Sequence, residues 1–543
     1  MRMPQSLHGT LDVWGGGQLM AFSAMDGRTD FVDGLVARTA GPHAGLDVML
    51  PGKVGITFDD APPSSCFVSS DVLTAETSRG NVCAVFLDAH HILIEGPCHV
   101  RSHDPLVSVT QFRNRTLVAS RRYEHPPCIA ADAQDAVAKR LAWLAARPIP
   151  PTLSPRQRRT TVKALSIMKG QVCSPEGAIA HRWTTPDRWP HGKMWLWDSA
   201  FHAIGWRHID VSVARDAIEA VLDCQFPDGR IAISAAPFEP DKSGKTQPPV
   251  LALAAWLVDQ ASPDSSWIEH VYPPLCRYVE WDLANRDSSA SGLLEWATGT
   301  RNNCRCDESG ADNSPRFDTG EPLHAPDFNA LIALECELLA RMAARIGRPD
   351  DEQALWTDRH ARICRRMNER LWSKAHSLYM DVPVGQRDST GVMSFAGLLP
   401  LVCLAPDRRR AELMARHLVN PATFGSPLPV PTIAPRGSPR YRKDMWCGPV
   451  WVNINWLIAL GLTRSGVDTC AEGLRGATMD EIESRYETLG SLFEFYDDEK
   501  IVPPPSLDRK GPCTPGQWLH QVVHDYGWTA SCYADWIYST AGL

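Results

Sequence analysis

The sequence has no run of 18 apolar residues, the length a membrane-spanning helix requires. It also lacks a basic surplus: 55 Lys and Arg stand against 63 Asp and Glu, a formal net charge of -8 with His neutral. Nucleic acids and anionic membranes are recognised through basic surfaces, so neither is an expected partner. The opening stretch MRMPQSLHGTLDVWGGGQ has no apolar centre of the kind an export signal carries, and a cytoplasmic protein is expected. Cysteine is not scarce, at 16, but it lacks the spacing of a disulfide framework, and a chain of 543 residues can build its own core. Reduced thiols are expected. Cys304 and Cys306 have no second pair nearby to complete a metal site, so neither metal nor cofactor is expected.

What is present is a globular composition, 44% hydrophobic and 22% charged, in a chain too long for one small core. Runs such as VCAVFLDAHHILIEG and LVSVTQF, separated by turn residues, give residues 1–125 the pattern of an antiparallel β-sandwich-like domain. Residues 126–155 read as a helical linker, with a helix over 130–146. Ser154 and Pro155 then suit the cap and first position of the next helix. From 156 to 543 helical periodicity dominates: 212–226, 249–261, 351–373, 392–404, 408–418, 449–463, 468–487 and 520–539, with Asp327 as a possible cap for the stripe Leu331, Leu334, Leu338, Met342, Ile346. About a dozen helices over this length fit an (α/α)6 toroid, whose loops gather at one end. Three long interruptions, near 286–326, 420–448 and 494–519, are of a length that is more often functional than accidental.

Each motif has a plain reading and a chemical one. In MWLWDSAFH, Trp195 and Trp197 lie two apart and Asp198 stands where a helix could begin; His202 ends the stretch. Plainly, these are core residues and a helix cap. Chemically, they are a sugar wall and a carboxylate whose two acceptor oxygens suit vicinal hydroxyls. QFPDGRI, with Gln225 and Asp228, is either an ordinary turn or a ligand contact. DMWCGPVWVNINW carries Trp446 and Trp451; Gly448 and Pro449 start a helix there, in which Asn455 must find a partner. In LFEFYDDEK, Glu494 sits between phenylalanines that would desolvate it, whereas Asp497, Asp498 and Glu499 read as a solvated acidic turn. Trp528 opens the last helix in HDYGWTA. Last, ESGADNSPRFD, residues 308–318, places three carboxylates and Arg316 among turn formers inside the first long interruption.

Taken in order, these motifs resemble those of the (α/α)6-barrel glycosidases: trehalases and glycoside hydrolase family 63, closest to the bacterial branch acting on mannosylglycerate and glucosylglycerate. The resemblance runs from Met194 to Ala530 and leaves the first 125 residues unaddressed. It implies Asp312 as general acid and Glu494 as general base. Trp195, Trp197 and Asp198 would then hold the nonreducing sugar, with Gln225 and Asp228 beside them and Trp528 near the mouth; His202, Arg316, Trp446 and Trp451 complete the candidate substrate-binding set. One departure stands out: Cys447 occupies the place of an arginine before Gly-Pro-Val-Trp, which removes a fixed cation with five donors.

Inverting hydrolysis needs an acid on the leaving oxygen and a base across the ring that activates water, the carboxyls roughly 6.5 to 9.5 Å apart. The acid must hold its proton, so burial or a neighbouring anion, Asp198 or Glu308, should attend Asp312, while Arg316 pairs with Asp318 or a nearby carboxylate. The expected activity is that of an inverting α-glucosidase on a small glucoside or short oligosaccharide. An α-mannosidase or glycosylglycerate hydrolase, a disaccharide phosphorylase and a non-catalytic sugar binder remain as alternatives. The sugar epimer and the oligomeric state are not legible in the sequence.

Overall fold

In the computed structural model, which describes residues 3–102, 104–120, 129–239, 243–299, 303–434 and 437–540, β-strands precede helices. The strands are β1 (Leu19–Ala21), β2 (Val36–Thr39), β3 (Gly45–Leu50), β4 (Val54–Thr57), β5 (Ser65–Val68), β6 (Val72–Thr77), β7 (Gly80–Asp88), β8 (His91–Glu95), β9 (His99–Arg101), β10 (Val107–Phe112) and β11 (Arg115–Ser120). They make two antiparallel sheets, ordered β1-β2-β3-β4-β9 and β10-β11-β8-β7-β6-β5. Strand alternation assigns the faces. On β7, Val82, Ala84 and Phe86 join Leu46, Val48 and Ile56 of the facing sheet in one core. Val85, between them, points the other way, into a second core with Val137, Leu141 and Leu144. Those residues belong to α1 (Ala133–Ala145), capped by Asp132. The helix expected over 130–146 is therefore a cover for the sheet rather than a bare connector; residues 121–128, which hold the expected boundary at 125 and the first residues of the linker, lie outside the described residues.

The helical part runs through α2 (Pro155–Gly170), α3 (Leu196–Trp206), α4 (Val211–Asp223), α5 (Leu251–Ala261), α6 (Ser265–Asn285), α7 (Pro326–Arg345), α8 (Asp350–Arg370), a 3-10 segment (Phe395–Cys403), α9 (Arg408–Arg416), α10 (Val452–Arg464), α11 (Asp468–Leu489) and α12 (Gly527–Thr540). Ser154 caps α2 with Pro155 at its first position, as the sequence predicts, and Gln157 completes a reciprocal capping box. Two kinds of helix are distinguishable. Every residue of α3 is buried, whereas α8 buries only Trp356, Ile363, Cys364 and Met367, one stripe at helical spacing. Contacts follow a fixed order: α3 packs on α5, α5 on α7, α7 on the 3-10 segment, that segment on α10, α10 on α12 and α12 on α3. No helix among the described residues is long and apolar enough to cross a membrane.

Several sequence expectations need correction. Helix α6 was not read from the sequence because it contains Pro273 and Pro274; the carbonyls they leave unpaired belong to the exposed Glu269 and His270, where water can serve them. The stretch at 392–404 is a 3-10 rather than an α-helix, with Pro400 inside it. Asp327 lies in the first turn of α7, after Pro326, and does not cap it. The helix expected from 449 starts at Val452, with Trp451 still extended, and the one expected from 520 starts at Gly527.

Arg38 of β2 joins the two parts. It is fully buried and donates to the carbonyls of Gly17, His524, Asp187 and Trp189, at 2.6 to 3.0 Å. Asp525 accepts from Leu19 N and from Lys163 Nζ, each at 2.8 Å. The β-sandwich thus braces the segments around 187–191 and 524–525, which matter below.

Candidate active site

The stretch ESGADNSPRFD is a loop of two 3-10 turns, Asp307–Ser309 and Pro315–Phe317, in which nearly every polar side chain is already employed. Glu308 accepts from Thr246 N at 2.9 Å and from Arg286 at 2.5 Å. Asn313 donates to Asp444 at 3.0 Å and accepts from Trp446 N at 3.0 Å. Arg316 is buried between Asp327 and Asp381 and grips both with paired hydrogen bonds of 2.6 to 3.0 Å. Asp318 pairs instead with Arg305, at 3.1 Å. Gly310 sits at φ 73°, and a Cβ there would fall 2.5 Å from Cη2 of Trp197, so only glycine lets the loop lie on that indole. Asp312 is the carboxylate left facing a cavity.

That cavity is lined by His191, Trp195, Trp197, Asp198, Gln247, Gly310, Asp312, Met445, Trp446, Trp451, Glu494, Arg509, Lys510, Tyr526 and Trp528. Its free space, about 70 Å³, is smaller than the 480 Å³ on the β5–β7 sheet face or the 590 Å³ between the β3–β4 region and the 505–524 loop. Chemistry rather than size singles it out. Neither of those two joins two carboxylates to a wall of tryptophans, and in a 350 Å³ cavity between α10, α11 and α12 that does set Trp456 and Trp536 beside acidic residues, Asp535 is already held by Arg207, His208 and Trp456. Trp446 stacks on Trp451 at 3.8 Å between centroids, and Trp528 meets Trp197 edge-on at 5.2 Å. The buried Nε1 donors of Trp195, Trp446 and Trp528 have no partner among the described residues, and such an N–H in a cavity wall suits a hydroxyl.

Glu494 lies in a segment pinned from both sides: Val450 bridges Tyr496, Glu494 N donates to Val523 O at 3.0 Å, and Phe493 O accepts from Thr529. Its carboxylate receives Arg509 Nε on Oε2 at 2.7 Å and the terminal guanidinium nitrogen on Oε1 at 3.1 Å. That nitrogen also contacts His191 Nε2 at 3.1 Å, and His191 Nδ1 is 2.6 Å from Asp187. Since Arg509 can only donate, His191 Nε2 accepts, and the proton sits on Nδ1 toward Asp187.

Asp198 is buried in the first turn of α3, without a cap role. Burial, then the charges of Asp187 and Glu494, push its carboxyl well above the usual range; its only side-chain partner among the described residues is Tyr526, at 3.5 Å. Asp312, in contrast, meets a cation: Lys510 Nζ lies 2.5 Å from Oδ2. Of the two anions expected beside it, Glu308 is spent on Arg286 and Thr246, whereas Asp198 lines the same cavity.

Of the twelve residues singled out in the sequence, eight line this cavity: Asp312, Glu494, Trp195, Trp197, Asp198, Trp446, Trp451 and Trp528. His202, Gln225, Asp228 and Arg316 do not. His202 is buried against Thr184, and burial pushes its imidazole down to about 3. Gln225 bonds the carbonyls of Gly229 and Pro274 and accepts from Arg277; Asp228 accepts from Trp281 and Arg230 N. Asp497 and Asp498 are not a solvated turn. Both are buried, Asp497 on Lys443 and the amides of Ile501 and Val502, Asp498 on Tyr441. Asn455 finds its partners in Thr478 and Pro429 O. At the departure Cys447, burial holds the thiol up to about 12, and the guanidinium of Arg442 donates to its sulfur at 3.1 Å, restoring an arginine beside that site. The sequence reading missed His191, Gln247, Gly310, Met445, Arg509, Lys510 and Tyr526. An available signal was Arg509-Lys510 inside the third long interruption.

Comparison with known proteins gives one concordant result. The sequence profile of the mannosylglycerate hydrolase MGH1-like glycoside hydrolase domain matches residues 190–529. The mannosylglycerate hydrolase of Thermus thermophilus is 24% identical over 58% of this chain and 91% of its own. The glucosylglycerate hydrolase of Mycolicibacterium hassiacum is 22% identical over 72% of this chain and all of its own. A crystal structure of a family 63 mannosylglycerate hydrolase from Thermus thermophilus, in complex with glucose, superposes with a TM-score of 0.57 at 23% identity, over 69% of this chain and 99% of that one.

Proposed function

The chain belongs to the mannosylglycerate hydrolase MGH1-like glycoside hydrolases, and on that premise we propose that it cleaves a small α-glycoside with inversion. Asp312 gives a proton to the leaving oxygen, and Glu494 takes one from the attacking water. One observation carries the reading: two carboxylates from loops distant in sequence line a single cavity walled by tryptophans with unpaired N–H donors. Arg509 fixes Glu494 in place as an acceptor, so the base is aimed before substrate arrives. Asp198 is buried and nearly partnerless, and paired sugar hydroxyls are the donors that would satisfy it.

The closed order of helix contacts, in which the fully buried α3 and 3-10 segment contrast with the one-stripe α8, supports an (α/α)6 toroid over 156–543, behind a β-sandwich domain at 1–125 and a connector at 126–155. The relatives' names favour a hexose linked to glycerate over a plain glucoside, with glucose and mannose both in play. An NMR time course on α-glucosides, α-mannosides and their glycerate forms, in phosphate-free buffer, tests the scheme. First release of the β-anomer, with Asp312→Ala and Glu494→Ala each slowed roughly 10²- to 10⁴-fold, is expected. Release of the α-anomer, a phosphate requirement, or full activity in either variant would overturn it.

A further inference from the structure

Arg509 and Lys510 are consecutive, yet each holds a different carboxylate of the cavity: Arg509 grips Glu494, and Lys510 meets Asp312 at 2.5 Å. The left-handed backbone at Lys510, φ 54°, and its amide bond to Asp444 at 2.8 Å help fix where the second cation emerges. Asp444 also holds Asn313, the residue after Asp312, so one carboxylate ties the lysine's loop to the acid's loop. The two clamps differ in permanence. The Arg509 and Glu494 side chains are both 2% exposed, whereas those of Lys510 and Asp312 are 24% and 17% exposed. A planar guanidinium with two aligned bonds stays put; a solvated ammonium on a flexible stem can move.

While Lys510 donates to Oδ2, that oxygen is engaged as an acceptor and cannot present a proton to a leaving group. Whatever alcohol Asp312 protonates must also depart beside it, within reach of the same lysine. Resting on the assignment of Asp312 as acid, we propose that Lys510 recognises a carboxylate carried by the leaving alcohol, and that this exchange of partners releases Asp312 for proton transfer. The steps balance. The substrate carboxylate takes the ammonium, and Asp312 picks up a proton from water. It passes that proton to the glycosidic oxygen as the C–O bond breaks, and the attacking water gives its own proton to Glu494. Glu494 then returns it to solvent. A substrate whose leaving alcohol is neutral binds the same sugar pocket but leaves Lys510 on Asp312.

The test compares glucosylglycerate and mannosylglycerate with the same sugars on glycerol, in the wild type, Lys510→Met and Lys510→Arg. One charge-assisted hydrogen bond corresponds to roughly a ten- to hundredfold preference in kcat/KM for the glycerate form. That ratio should collapse toward one in Lys510→Met and survive in Lys510→Arg. Calorimetric binding of D-glycerate should be lost in Lys510→Met. A wild type without preference, or a ratio unchanged in Lys510→Met, overturns the proposal. No turnover of any of the four glycosides overturns the hydrolytic reading itself. In that event glycerate binding still judges the lysine: unchanged binding in Lys510→Met, or none in the wild type, removes its role, and binding lost only in the variant retains it as a carboxylate site.

Discussion

Glu494 and Asp312 face one cavity from opposite supports, and the supports obey different physics. Glu494 is buried, doubly bonded by Arg509, capped by Val523 N and backed through His191 by Asp187. Every partner there is fixed before a substrate enters. Asp312 sits on a loop whose Glu308, Asn313 and Arg316 are bound into the scaffold, while its own carboxylate meets, among the described residues, a lysine that is 24% exposed. A base that must accept from water at a set angle gains from rigidity. An acid that must load and unload a proton every cycle gains from a partner that can leave. On the proposed roles the asymmetry is a division of labour, and it makes the two ends break differently.

The largest contrast should appear in stability rather than rate. Glu494→Ala strands a buried guanidinium, for which the loss is about 3–5 kcal/mol, whereas Asp312→Ala removes a partly exposed pair contributing about 0–1 kcal/mol. Denaturant unfolding of the two variants measures the difference. Equal midpoints would end the comparison. Next in size are the supports. Arg509→Lys keeps the charge but loses the two-pronged geometry, and kcat should fall roughly 10- to 100-fold with KM little changed. Gly310→Ala should lower kcat by about tenfold, since a left-handed alanine costs roughly 1–2 kcal/mol and its methyl would press on Trp197 and shift the Asp312 loop. Steady-state kinetics checks both; a KM effect alone in Arg509→Lys would mean that the arginine binds sugar and does not aim the base.

How much of this was legible depended on whether the signal was local. The cap at Ser154, the β-rich run that holds β7 and the helix read over 351–373 are short-range patterns, and they read correctly. Helix α6 hid because its two prolines sit where solvent forgives the missing bonds, a fact of burial and not of sequence. In the site, the tryptophans and the two carboxylates carry unusual local chemistry and could be singled out. His202, Gln225 and Arg316 have equally suggestive side chains, but their partners, Thr184, Pro274, Asp327 and Asp381, come from other segments, so only the fold reveals that Gln225 and Arg316 are already satisfied and that His202 is turned to Thr184, away from the cavity lining. Arg509 and Lys510 were missed for the converse reason. They look like ordinary surface cations until the 494–519 loop folds them over the cavity.

The smallest expected effect concerns Asp198, a third carboxyl that belongs to neither arm. Burial and the nearby anions hold its acidity well above the ordinary carboxylate range, so the folded state binds its proton more tightly than the unfolded chain does. Stability from this group is therefore fully present below the unfolded value, about 3.9, and is lost as pH rises toward the folded one. Asp198→Asn, neutral at every pH, removes that loss. Its unfolding midpoint should match the wild type near pH 4 and exceed it at pH 8, each unit of the folded-state shift being worth about 1.4 kcal/mol. The same variant should bind sugar more weakly, because donating sugar hydroxyls favour the ionised form of Asp198, in which both oxygens accept, whereas an amide has one acceptor oxygen. A variant that is less stable than the wild type at pH 8 would mean that Asp198 is a satisfied structural carboxylate, and the sugar-gripping role proposed for it would fall.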